Sequence, residues 1–358
     1  MQLWHDLTKS PFQSKAAGKF YRHRDSYNND NRNCLRMLNR HSSRFIDCCD
    51  TFLATRGIAQ HRRHRYNEIE YSCGKLWTGR RAKDESMSEN EQPLAGKTAL
   101  VTGGGRGLGR AFAERLANLG CSIGLHGMRE HGPAEYGEGT TLTHTAQNIA
   151  EQYGVQSISI LGDLTISEQV ERVVTGVIDQ LGPIDILVHN AGGDIAAEGG
   201  KPDPNDAVMI KEVDVRAVLD RNLLSTILVC QQVSRRMMER KQGRIVTLSS
   251  IAAFKGNDYS AIYSTAKAAV VEYTRCLAAQ LRPYDVAVNS IAPGDTRTGR
   301  FLGTREVDSD RMAESGTLDR IALVDEVARV VDFFAGPLGS FVTGQVLRVD
   351  GGSQLWSA

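Results

Sequence analysis

The chain has 358 residues, 41% of them hydrophobic and 24% charged, with a formal net charge of +1. These values fit a globular protein of one or two domains with a sizeable core, and the near-zero balance gives no reason to invoke a nucleic-acid partner. No run of about 18 apolar residues is present, which argues against a membrane-spanning helix.

The charge is unevenly placed. Residues 1–86 carry 17 Lys+Arg against 9 Asp+Glu, a net of +8, while the remainder nets −7. Stretches such as "HRDSYNNDNRNC" and "RGIAQHRRHRYN" are polar and basic, and only the brief "SRFIDCCDTFLA" shows periodicity. A basic nucleic-acid arm, an organellar transit peptide and a zinc site built from His61 and His64 with Cys48, Cys49 or Cys73 are the functional readings. The acids Asp25, Asp30, Asp47 and Asp50 weigh against a transit peptide, and the lack of a Cys-x-x-Cys pair weighs against zinc. The plainer reading is a poorly structured extension. Met87 opens "MSENEQPLAGKTALVTGGG", so residues 1–93 are expected to be a dispensable extension and 94–358 the folded domain. The start "MQLWHDLTKS" lacks the pattern of a secretory signal, and the seven cysteines (Cys34, Cys48, Cys49, Cys73, Cys121, Cys230 and Cys276) are expected as reduced thiols in a cytoplasmic protein with no metal site.

From residue 95 the texture changes. "KTALVT" predicts a strand, "RGLGRAFAERLANLG" an amphipathic helix, "CSIGLH" a strand, "TLTHTAQNIAEQYG" a helix and "VQSISILGD" a strand. "SEQVERVVTGVIDQLG" predicts a helix and "IDILVHN" a strand, followed by a Gly/Pro-rich loop over 192–206. A long helix over 212–240, the strand "RIVTLSS", a helix over 260–282, the strand "VAVNSIA", a helix over 323–335 and the strand "QVLRVD" complete the chain. Strands apolar on both faces alternate with helices. That pattern predicts an α/β, doubly wound Rossmann-like fold, with a seven-stranded, mostly parallel sheet covered by helices on both faces.

The turn after the first strand reads "TGGGRGLG", with Thr102, Gly103, Arg106, Gly107, Leu108 and Gly109. Glycines let the backbone approach a pyrophosphate, and the following helix begins there with free N–H groups and the positive end of its dipole. Its place between the first strand and first helix makes this a nucleotide-binding signal, where a glycine run alone would be weak.

At this point the sequence resembles the short-chain dehydrogenase/reductases, over about residues 94–358. The family's TGxxxGxG loop matches Thr102–Gly109, and its acid near the adenine matches Asp163, followed by Leu164. Its Asn-Ala-Gly matches Asn190, Ala191 and Gly192, and its helix asparagine matches Asn222. Ser250 stands 13 residues before Tyr263, with Lys267 four residues beyond, and the family's Pro-Gly is Pro293-Gly294. A Tyr-x-x-x-Lys pair alone arises readily by chance. "YSCGK" supplies a second one, Tyr71 with Lys75, which has Ile58 in place of the serine. The accompanying motifs single out Tyr263 and Lys267.

The resemblance implies an NAD(P)-dependent oxidoreductase that interconverts a secondary alcohol and a ketone. Tyr263 would be the general acid/base, its pKa lowered by the Lys267 ammonium. Ser250, rather than its neighbour Ser249, would bind the substrate oxygen, and Asn222 would hold a water linked to Lys267. Lys267 would also hold the nicotinamide ribose, and Thr298, or Thr296 in its stead, the carboxamide end of the cofactor. No acid stands at Gly127, where NAD-selective members place one, and Arg106 and Arg129 suit a 2′-phosphate. NADP(H) is therefore favoured, NAD(H) remains open, and Glu130 is the counter-signal. Asp295 hints at a polar substrate, Arg297 and Arg300 at a carboxylate or phosphate, and the 294–315 segment at a lid. A 3-oxoacyl thioester reductase and a sugar or polyol dehydrogenase are alternatives within the family. Dehydration or epimerisation, and a catalytically idle nucleotide-binding regulator, are alternatives outside that chemistry. The broad apolar faces at 212–240 and 260–282 imply a homodimer or homotetramer.

Overall fold

Consecutive residues of a strand point to opposite faces, and both faces of the central strand here are covered. In β1 (Thr98–Thr102), Leu100 packs into one apolar cluster with Val173, Val177 and Leu187, while Val101 packs into another with Phe112, Leu116 and Leu125. The computed structural model describes residues 92–355. The candidate zinc ligands Cys48, Cys49, His61, His64 and Cys73, and the Tyr71–Lys75 pair, lie outside the described residues.

The elements follow as α1 (Gly107–Asn118), β2 (Ser122–Gly127), α2 (Leu142–Tyr153), β3 (Ser157–Leu161), α3 (Ser167–Leu181) and β4 (Ile184–His189). Then come α4 (Glu212–Leu219), a π-helical turn (Asp220–Leu224), α5 (Ser225–Arg240), β5 (Gly243–Leu248), α6 (Ala261–Leu281) and β6 (Val286–Pro293). The chain ends with α7 (Gly299–Gly303), α8 (Val324–Ala328), α9 (Val330–Ala335) and β7 (Val346–Val349). The seven strands form one sheet in the order β3-β2-β1-β4-β5-β6-β7, every pairing parallel. Chain direction along the sheet reverses between β1 and β4, which opens a crevice at their C-terminal ends.

Helix faces follow from spacing. In α3, Val170, Val173, Val174 and Val177 are buried in one stripe, and in α1 Phe112, Ala113, Leu116 and Ala117 do the same on the other side of the sheet. Two predicted helices are interrupted. The 212–240 helix carries the π turn at Asp220–Leu224, and the 323–335 helix breaks at Arg329 into α8 and α9. Among the described residues, no helix is long and apolar enough to cross a membrane, and no group of three or more His, Cys, Asp or Glu side chains is placed to hold a metal ion.

Candidate active site

The glycine turn sits at the mouth of the crevice and is braced from below. Thr102 Oγ1 accepts the Asn190 and Ala191 N–H groups, each at 3.1 Å, and lies 3.1 Å from His189 Nδ1. With both N–H groups pointing at it, the hydroxyl donates its own proton to Nδ1, which leaves the imidazole proton on Nε2. His189 is fully enclosed, and burial holds its pKa down to about 3. Thr102 is likewise enclosed and clamps β1 to the 190–192 loop. Asn190 Nδ2 donates to the Gly103 carbonyl at 3.1 Å. Gly109 is a packing residue too, because a Cβ there would overlap the Gly103 carbonyl oxygen.

His126, at the end of β2, was missed by sequence reasoning. Its Nδ1 accepts from the Gly103 N–H at 3.3 Å, its Nε2 donates to the Gly162 carbonyl at 3.0 Å, and its own carbonyl accepts the Gly104 N–H at 2.9 Å. Burial lowers its pKa to about 4, so the ring stays neutral and keeps both bonds.

A cleft of about 430 Å³ runs from this turn to Tyr263. Gly103, Arg106, Gly107, Leu108, Arg129, Asp163, Leu164, Asn190, Ala191, Gly192 and Thr298 line it. Thr296 does not; it is buried and donates to the Gly294 carbonyl at 3.0 Å. Pro293 and Gly294 lie outside the lining and turn the chain at the end of β6.

The residues fit a dinucleotide. At the N-terminus of α1, the Gly107 N–H already donates to a carboxylate, that of Glu138, whose other oxygen accepts the Gly299 N–H at 2.6 Å. Nearby, the Arg106 and Arg129 guanidiniums both pair with Glu135, the former at 2.9 Å, and Arg106 lies 4.5 Å from the centre of the Tyr136 ring. Arg106 Nη1 is buried with no hydrogen-bond partner. The turn therefore binds anions and has a buried donor to spare. Glu130 takes no part, because its carboxylate accepts the Thr143 N–H at 3.1 Å and caps α2. Its expected reach toward a ribose is corrected; the acids that face the cleft are Glu135, Glu138 and Asp163.

At the other end, β5 delivers Ser250 and α6 delivers Tyr263 and Lys267. Ser250 stands near enough to the Tyr263 phenol to favour its anion, and its hydroxyl accepts the Ala252 N–H at 3.2 Å. Ser249 instead donates to the Lys267 carbonyl at 3.0 Å, inside the protein. One helical turn beyond Tyr263, Lys267 Nζ lies 5.7 Å from the centre of its ring and donates to the Leu248 carbonyl at 2.8 Å. The expected lowering of the tyrosine pKa is not found in the chain by itself. Desolvation pushes the phenol up, opposed by the Ser250 hydrogen bond and by the Arg300 and Arg305 charges, while Asp194 adds to the rise. Burial takes Lys267 itself down to about 8.

Asn222 stands in the π turn, fully buried. Its Oδ1 accepts the Gly193 N–H at 2.9 Å, and Nδ2 donates to the Gly193 and Val218 carbonyls, each at 2.8 Å. Both its N–H donors are engaged by backbone, so the amide ties the 190–193 loop to the helix. No free donor remains on it for the expected water. A side chain at Gly192 would come within 2.6 Å of this amide oxygen.

The segment after β6 sorts its charges. Asp295 pairs with Arg311 at 3.2 Å and Arg305 at 3.6 Å, and Arg297 donates to the Ala313 carbonyl. Neither is the substrate contact that was expected. Arg300 does face the cleft.

A family model described as short chain dehydrogenase matches residues 97–306. The chain is 35% identical over 271 residues to a cyclohexanol dehydrogenase of Rhodococcus sp. (strain TK6), across 74% of this chain and 98% of that protein. It is 35% identical to a 3-oxoacyl-[acyl-carrier-protein] reductase of Aquifex aeolicus, across 73% and 99% respectively. A solved short-chain type dehydrogenase/reductase from Mycobacterium ulcerans superposes with a TM-score of 0.63 at 30% identity, over 72% of this chain and 90% of that one.

Proposed function

The chain belongs to the short-chain dehydrogenase/reductase family and is an NAD(P)-dependent oxidoreductase; within that class we propose that it interconverts a secondary alcohol and a ketone, with Tyr263 moving the proton. The observation that carries this reading is Tyr263 lining the cleft that begins at the glycine turn, with Ser250 near enough to act on its phenol and Lys267 one helical turn away, its Nζ 5.7 Å from the ring centre. A bound nicotinamide supplies or accepts the hydride. Ser250 holds the substrate oxygen and Tyr263 donates its phenolic proton to it in reduction. The raised phenol pKa keeps that proton in place at neutral pH. In oxidation the phenol must act as a base, and the neighbouring cations Arg300 and Arg305 stabilise its anion. Lys267, one turn beyond Tyr263, would hold the ribose side of the cofactor.

Tyr263→Phe is expected to lower kcat by about 10²-fold or more while NAD(P)H still binds. Near-normal kcat in that variant would refute the assignment. A 3-oxoacyl thioester is the second substrate reading, favoured by the similarity to the Aquifex aeolicus reductase. NADP(H) is the favoured cofactor, because two guanidiniums beside the glycine turn converge on one carboxylate, an arrangement that a 2′-phosphate could take over. Comparison of KM for NADPH and NADH tests it. Residues 94–358 would form the catalytic unit in the cytoplasm, with 1–93 dispensable, and a chain begun at Met87 that folds but is inactive would overturn that. Exposed Leu338, Phe341 and Leu347 at the β7 edge support a homodimer or homotetramer, measurable by light scattering.

A further inference from the structure

The proton transfer leaves one cation in the cleft without a stated task. Arg300 sits in the first turn of α7, just past the capping Thr298, and folds back over the 190–194 loop. Its guanidinium rests on Gly193, where any Cβ would collide with it, and Nη2 donates to the Asp194 carbonyl at 2.8 Å. Among the described residues it forms no ion pair. It is half-buried, lines the same cleft as Tyr263, and acts on the phenol electrostatically. Lys201 and Arg305 are exposed nearby, and burial, then the Arg305 and Arg300 charges, lower the Lys201 ammonium while Asp194 opposes them.

The counter-charges nearby are engaged in part. Asp194 Oδ2 accepts from Asn205 at 2.7 Å and from Ser260 at 2.8 Å, while its Oδ1 is buried with no hydrogen-bond partner and Arg300 meets only its backbone carbonyl; Asp295 is shared between Arg305 and Arg311. A half-buried guanidinium with unused N–H groups, flanked by two like charges, is stabilised when an anion completes it. Nη1 and Nε each carry an N–H from which a carboxylate oxygen can accept.

We propose that Arg300 binds a carboxylate of the substrate, so that the ketone reduced at Tyr263 is that of an oxo acid. This rests on Tyr263 being the proton donor. The same guanidinium would also suit the phosphates of the cofactor, and the test separates the two sources.

The full chain is assayed with NADPH and with NADH on 4-oxopentanoate and 5-oxohexanoate, on their methyl esters, and on cyclohexanone, at constant ionic strength. The expected result is a kcat/KM for the better acid about tenfold or more above that of its ester, carried by KM, since one charge-assisted pair is worth about that factor. In Arg300→Leu the acid-to-ester ratio falls to near one, and in Arg300→Lys it falls only in part. Cofactor affinity, read from nicotinamide fluorescence, stays within about threefold. Should the unmodified chain treat acid and ester alike, or turn over only cyclohexanone, the inference fails while the oxidoreductase reading stands. It fails equally if Arg300→Leu loses cofactor affinity about tenfold with the ratio intact, for the guanidinium then serves the cofactor. No turnover of any carbonyl compound would bring down the underlying reading as well.

Discussion

Lys267 is a charged group held where charge is unfavourable, and removing it should make the protein more stable while making it inactive. Burial lowers its pKa from 10.5 to about 8, so at pH 7 the folded chain carries an ammonium that the unfolded chain solvates better. A shift of that size corresponds to about 3 kcal/mol against folding. Lys267→Met keeps the apolar stem and deletes the charge, but leaves the Leu248 carbonyl without the partner it has at 2.8 Å. Losing that bond costs about 1 kcal/mol, which leaves a net gain of about 2 kcal/mol. The sign fixes the pH window. The folded pKa is depressed, so the penalty is full below about pH 8 and fades as pH rises from there to 10.5. Urea unfolding of the cofactor-free protein, at matched concentration from pH 6.5 to 10, reads this out. The variant should be the more stable at pH 7, and the difference should close, then reverse, toward pH 10. A variant less stable at pH 7, or a difference that ignores pH, would refute the reasoning.

Gly109→Ala should cost about 3 kcal/mol of stability and cofactor affinity with it, because the new Cβ meets the Gly103 carbonyl, a backbone atom with no room to yield; thermal melts and NAD(P)H titration measure both. His126 and His189 have pKa values lowered by burial to about 4 and about 3, so stability should fall as pH drops below 6.5 and the unfolded chain takes up protons the folded chain refuses. His189→Gln should remove about one proton, or about 1.4 kcal/mol per pH unit, from that slope between pH 4.5 and 6, and an unchanged slope would contradict the assignment. Glu138→Gln should tighten cofactor binding about fivefold or more, since the carboxylate on the Gly107 and Gly299 N–H groups competes with a phosphate; equal or weaker affinity by fluorescence titration would count against this.

What could be read from the sequence was whatever local spacing determines. The glycine turn had to follow β1 because an apolar strand and an amphipathic helix flank it, and Tyr263 and Lys267 had to share a face because they are four residues apart on α6. Ser250 and Ser249 were separable for the same reason: alternation at the end of a strand turns one toward α6's tyrosine and the other into the protein. Arg297 and Arg300 were not separable. They differ only in standing on either side of Thr298, and the cap that Thr298 makes on the Phe301 N–H is what sends one to Ala313 and the other to Gly193. The π turn was hidden because one extra residue in a helix leaves no mark on an apolar period.

The acids of the 128–141 loop were the least legible, and physics explains why. A carboxylate on a helix or strand has a direction set by its register, whereas Glu135 and Glu138 lie on a 3₁₀ turn and the irregular stretch after it. There, position is decided by which donors are left over. The donors left over are those of the phosphate turn: the N–H of Gly107 at the start of α1 and the two guanidiniums beside it. A site made to hold an anion attracts whatever carboxylate a neighbouring loop can bring. The same reasoning applies at the other end of the cleft, where among the described residues Arg300 forms no ion pair and meets Asp194 only through its backbone carbonyl. At the phosphate turn the chain supplies its own anions; beside Tyr263 a substrate carboxylate would take that place.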